Sequence, residues 1–106
     1  MNYQLGNLEE AVILITLSIG EAYGVSVADE YKKQTGNDIS IPAIHTVLRR
    51  LEEKGLVKST MGESSPERGG RRKRFYKATP YGLSMIREIK KGRVRLWSKI
   101  PALKLK

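Results

Sequence analysis

The chain contains no cysteine. Disulfides, thiolate nucleophiles and cysteine-ligated metals are therefore excluded, and a reducing cytoplasm suits the composition. Histidine and tryptophan each occur once, as His45 and Trp97, in 106 residues. A single imidazole with no thiol leaves zinc hydrolysis and Cys-His catalysis almost nothing to work with. Ser26 or Ser40 can be written into a triad with His45 and an aspartate, but no nucleophile-elbow pattern supports it. The expectation is a non-enzyme with no metal and no cofactor. Long hydrophobic runs are missing too: AVILITLSI, Ala11 to Ile19, is too short to span a bilayer. The first residues, MNYQLGNLEE, are polar and acidic, unlike a secretory signal, so a cytoplasmic protein without a membrane partner is expected.

Acidic residues are scarce only in the second part of the chain. Residues 1–48 hold 6 Asp or Glu against 2 Lys or Arg, a net of −4. The remainder holds 18 Lys or Arg against 5 Asp or Glu, a net of +13, and the whole chain carries +9. Such polarity points to a directed electrostatic face with nucleic acid as the foremost partner. An anionic membrane fits less well, because the basic residues surround turns and strands rather than one lipid-facing helix. The length suits one domain, residues 1–106, whose modest core a second subunit would enlarge.

Hydrophobic spacing predicts a first helix over Leu8 to Ile19, opened by an Asn7/Glu10 capping box and ended by Gly20. A second helix is expected over Val27 to Gln34, with Ser26 as its cap, Val27, Ala28 and Tyr31 inward, and Gly36 as its stop. The third is the clearest: Ser40 caps it, Pro42 falls in its first turn, Ile44, Val47, Leu48 and Leu51 form its stripe, and Lys54-Gly55 ends it. Leu56 to Met61 reads as a strand, Gly62 to Arg71 as a polar basic loop, and Arg72 to Ala78 as a second strand. Thr79-Pro80 opens a last helix with the stripe Leu83, Ile86, Ile89, Leu96, Trp97 and Ile100, weakened at Gly92 and stopped by Pro101. The fold class expected is mainly α with a small β-hairpin: a winged helix-turn-helix of three helices, a two-stranded wing and a long C-terminal helix.

The second helix of a helix-turn-helix reads the major groove with its N-terminal residues. Here those are Ser40, Pro42, Ala43, His45 and Thr46, with Arg49 one turn on, near a phosphate or a groove edge. Ala43 and the Thr46 methyl suit thymine methyls, and His45 and Thr46 can hydrogen-bond. Arg68, Gly69, Gly70, Arg71, Arg72 and Arg74 make the hairpin a second, phosphate-contacting arm. Plain alternatives are a surface histidine, a helix face where Arg49 or Arg50 pairs with Glu52 or Glu53, and a solvated strand end. For homodimerisation the candidates are Leu8, Val12, Leu83, Ile86, Ile89, Leu96, Trp97 and Ile100, with residues 79–100 as the dimerisation helix. The alternative for the first part of that stripe is packing on its own core. Trp97 is also a candidate contact for a small aromatic effector, its alternative being interface filler.

Tyr23-Gly24, IPAIHTVLRRLEEKGLV (41–57) and ERGGRRKRFYKATPYG (67–82) resemble, in order, three stretches of the PadR-like family of bacterial transcriptional regulators. They match its second-helix start, its recognition helix with the first wing strand, and its wing tip leading into the C-terminal helix. The short C-terminal part is similar to the compact branch of that family, with one helix after the wing. Where many members carry threonine, tyrosine and proline in the recognition helix, this chain has Ala43, His45 and Thr46. The resemblance implies a winged-helix homodimer that binds double-stranded DNA and represses transcription, often released by a small ligand. The competing reading is a winged-helix module for protein or RNA without operator specificity.

Overall fold

The computed structural model describes residues 5–64 and 72–101. Its order is α1 (Asn7–Ser18), α2 (Gly24–Thr35), α3 (Ile41–Glu53), β1 (Val57–Ser64), β2 (Arg72–Ala78) and α4 (Pro80–Trp97). This is the winged helix-turn-helix expected: three helices, an antiparallel two-stranded wing and one long helix after it.

The first helix starts one residue earlier than its pattern suggests. Gly6 is the N-cap, and its N–H donates to the Glu9 carboxylate at 2.9 Å, so Asn7 is already helical and the Asn7/Glu10 box does not form. The second helix starts at Gly24 rather than Val27. Ser26 is its third residue, where the hydroxyl accepts the Tyr23 N–H at 2.9 Å. Gly36 ends this helix with φ of +78°, a conformation that costs glycine little.

Ser40 caps α3 as expected, its Oγ accepting the Ala43 N–H at 3.2 Å. The helix ends in a Schellman pair: Leu56 N–H donates to the Leu51 carbonyl and Gly55 N–H to that of Glu52, both at 2.9 Å. Gly55 takes the positive φ this requires. Ile44, Val47, Leu48 and Leu51 are buried against Val12, Ile13, Ile15, Val27 and Ala28, so the three helices close on one core.

The wing runs longer than its first strand suggests. Val57 pairs with Ala78, Ser59 with Tyr76 and Met61 with Arg74; beyond, Ser64 pairs with Arg72, so β1 carries one extra residue as a bulge. Tyr76 is buried, and its N–H donates to the Ala22 carbonyl at 2.8 Å, anchoring β2 to the α1–α2 connection.

Thr79 joins α4 to the rest. Its Oγ1 accepts the Gly82 N–H and donates to the Gly55 carbonyl, and its N–H donates to Leu56 O. Gly82 and Met85, outside the expected stripe, are the buried residues of α4, while Ile86 and Ile89 pack partly on the core. Gly92 does not interrupt the helix. It ends at Trp97, four residues before Pro101, through i−3 bonds from Lys99 and Ile100, which puts Ile100 past the helix.

Candidate nucleic-acid interface

Because the apolar stripe of α3 is consumed by the core, its other face is left outward. Ser40, Pro42, His45 and Arg49 are exposed, and Ala43 and Thr46 are half-exposed. The Thr46 hydroxyl donates to the Pro42 carbonyl at 3.0 Å. Its proton is therefore used within the helix, and a partner meets only its oxygen lone pairs and its methyl. His45 leans over the start of α2. A methyl on Gly24 would stand 2.8 Å from His45 Nε2, so this glycine makes room for the imidazole.

The wing flanks α3. Along β2, Arg74 and Tyr76 alternate onto the side that faces α3, while Lys73, Phe75 and Lys77 take the other. Arg74, Tyr76, His45, Arg49 and Glu52 line one cleft of about 320 Å³ at the junction. Burial pushes the Tyr76 phenol above its ordinary value, and Glu52 adds to that against the opposing charges of Arg74 and Arg49. The alternative pairing of Arg49 with Glu52 is not made; Glu52 bonds Ser59 instead. On the opposite side of β2, Tyr23 meets Phe75 edge-on at 5.6 Å, and the Lys73 ammonium lies 3.8 Å from the Tyr23 ring centroid. Arg68, Gly69, Gly70 and Arg71 lie outside the described residues; Arg72 begins β2.

The sequence model of the transcriptional regulator PadR-like family matches residues 13–88, from the middle of α1 well into α4. The chain belongs to the PadR-like family of transcriptional regulators. Its structure is similar to that of a PadR-like regulator from Bacillus cereus: 24% identity, 87% of this chain and 85% of that one covered, TM-score 0.70. A PadR family regulator from Eggerthella lenta gives 25%, 86% and 75%, TM-score 0.70. A transcriptional regulator from Clostridium thermocellum gives 26%, 86% and 84%, TM-score 0.65. No curated protein matches the chain. The expected activity class follows from membership: this PadR-like chain is a DNA-binding transcription regulator. Among its described residues no helix is long and apolar enough to cross a membrane.

The residues expected at a subunit contact fall into two groups. Val12 is fully enclosed by its own chain, which corrects its place among them: its position on α1 faces the monomer core. Leu8, Ile86 and Ile89 are half-buried against that core, and Leu83 is half-buried. Leu96, Trp97 and Ile100 are exposed, Leu96 by 71%. Leu14 and Leu17 of α1 and Val94 of α4, outside the expected stripe, are exposed as well. Trp97 closes one end of an apolar groove of about 420 Å³ between α1 and α4, with Leu14, Ile86, Ile89 and Val94 as walls and Glu10, Lys90 and Arg93 as rim. Arg93 donates to both Glu10 carboxylate oxygens, fastening α4 to α1 beside the groove.

Ser59 has no place in the sequence-based expectations, and Glu52, Tyr23 and Gly24 appear there only as an ion-pair alternative and a family motif, not as neighbours of α3 and the wing. The Tyr-Gly pair and the Arg74/Tyr76 alternation were visible as residues, but their meeting needs the strand register and the bridge to Ala22.

Proposed function

We propose that the protein is a cytoplasmic homodimeric repressor that recognises a specific operator with α3 and grips the flanking backbone with its wing. The observation that carries this reading is the outward face of α3: a polar, partly cationic surface of His45, Thr46 and Arg49 beside Arg74 of the wing. A helix of this kind suits the major groove, where base pairs are distinguishable, while arginines on a hairpin suit phosphates. The exposed apolar residues of α1 and α4 support pairing of two copies. Half-sites then lie about 34 Å apart.

The test is a selected pool of duplexes, titrated across salt alongside single-stranded RNA and heparin. Log affinity for duplex should fall linearly with log salt, at a slope of about −0.9 for each phosphate neutralised. A flat salt response, or equal binding of RNA and of unselected DNA, rejects the reading.

The groove at Trp97 also supports regulation by a planar aromatic ligand, neutral or acidic because Lys90 stands at its rim while Arg93 and Glu10 pair with each other. Such a ligand regulates only if it prefers the DNA-free arrangement. Quenching of Trp97 fluorescence at or below about 100 μM, followed by operator release, is the expected result. Quenching without release rejects regulation, and no quenching rejects the ligand.

A further inference from the structure

Arg74 is the described wing arginine whose head group the structure fixes. Its Nη1 donates to Ser59 Oγ at 3.0 Å. The Ser59 hydroxyl in turn donates to Glu52 Oε2 at 2.7 Å, and the Ser59 N–H donates to the same oxygen at 3.1 Å. The relay thus begins on the last turn of α3, crosses β1 and ends on β2. The register makes this possible: Ser59 faces Tyr76 and Met61 faces Arg74, so Ser59 and Arg74 are diagonal neighbours on one side of the sheet. Glu52 and Ser59 are half-buried, whereas Arg74 is exposed.

The chemistry of the relay matters. A carboxylate bonded directly to the guanidinium would neutralise it locally and occupy its planar fork. Here a neutral hydroxyl stands between them. The hydroxyl orients Arg74 through one nitrogen and leaves its other N–H groups for a partner, beside Arg49 and His45 in the same cleft. A long side chain held in advance loses less freedom when it binds.

We propose that Glu52 and Ser59 are positioning residues that hold the Arg74 guanidinium at the α3–wing junction to bind a phosphate of the DNA backbone. The inference rests on the reading that this face binds duplex DNA. It assigns the setting of Arg74 to the body of the domain, so that α3 and the wing engage DNA as one rigid surface.

The experiment is a double-mutant cycle on full-length protein with a mixed-sequence duplex. Arg74→Ala should weaken binding and make the salt slope shallower by about 0.9. Ser59→Ala, which changes no charge, should weaken binding about fivefold, the worth of one hydrogen bond. In the Arg74→Ala background the same change should cost nothing, and Ser59→Thr should restore binding. Equal losses in both backgrounds, or no loss in a folded Ser59→Ala protein, overturn the proposal. Should Ser59→Ala fold poorly, Glu52→Gln serves in its place: the relay requires weaker binding, whereas removal of a negative charge alone would strengthen it, and stronger binding overturns the proposal. Wild-type protein that binds no duplex would instead overturn the DNA reading itself.

Discussion

Gly82 sits where the first turn of α4 crosses the beginning of β1. A methyl there would fall within the van der Waals shell of the Leu56 carbonyl oxygen, which also accepts the Thr79 N–H. That oxygen belongs to the backbone and is already committed, so it cannot swing aside. Gly82→Ala should therefore destabilise the fold by about 1–3 kcal/mol, the usual range for overpacking, read from urea unfolding; an unchanged midpoint would mean that the crossing is loose. Glu9 presents a different kind of dependence. Burial alone would raise its carboxyl, but hydrogen bonds from Lys54 and from Gly6 N–H, with the charges of Lys54 and Arg50, together hold it below the ordinary 4.5. A lowered folded value means that its contribution is complete above 4.5 and is lost as pH falls through the folded value. The stability gap between wild type and Glu9→Gln should stay constant near neutrality and narrow in acid. A gap that widens in acid contradicts the assignment.

At the scale of elements, the proposed reading gives α3 and the wing different parts in binding. His45 stands on the outward face of α3 and lines the cleft, whereas Arg72 opens β2. His45→Ala should narrow the preference for an operator over a scrambled duplex, by about 1–3 kcal/mol if a good base contact is lost. If the wing meets phosphates as proposed, Arg72→Ala should weaken both duplexes alike, since a phosphate contact carries no base information. Fluorescence anisotropy on the two duplexes checks both variants at once, and a preference that follows Arg72 instead of His45 would reverse the assignment. The wing itself is anchored by the Tyr76–Ala22 bond, by the Tyr23 contacts with Phe75 and Lys73 and by the Ser59–Glu52 bonds, so it projects from a fixed base.

As a whole the molecule is extended. Its radius of gyration is 15.6 Å, against about 13 Å for a compact chain of this length. The excess is consistent with the 18-residue α4, which continues past the core and carries Val94, Leu96 and Trp97 in the open. Leu14 and Leu17 of α1 are exposed as well, and Leu14 shares a groove with Val94 and Trp97, which is the surface the proposed second copy would cover. Leu96→Asp with Leu14→Asp should leave the monomer folded, because neither side chain is in the core, and should convert a dimer to monomer in sedimentation velocity at micromolar concentration. Val12→Asp, by contrast, should unfold the protein. A wild-type chain that sediments as a monomer would remove the dimer from the proposal.

Much of this was determined by the sequence alone. The stripe of α3 with its Ser40 cap and Lys54-Gly55 stop, the glycine at the end of α2, the β2 limits and the Thr79-Pro80 start of α4 are local matters. Caps, turn conformations and hydrophobic period act over a few residues, and the chain spells them out. What only the tertiary structure decided depends on residues distant in the chain. Val12 lies on the apolar stripe of the first helix and was expected at a subunit contact, yet it is enclosed in the core of its own chain. Met85, not the expected stripe alone, anchors α4, because the Gly82 crossing sets its rotation on the core. Ser59 and Glu52 carry no local signature, since Glu52 meets Ser59 only where β1 turns back along the end of α3, and Arg74 reaches Ser59 only through the pairing of β1 with β2. Periodicity tells a helix which face is apolar, but the partner that covers that face is fixed by packing across the whole chain.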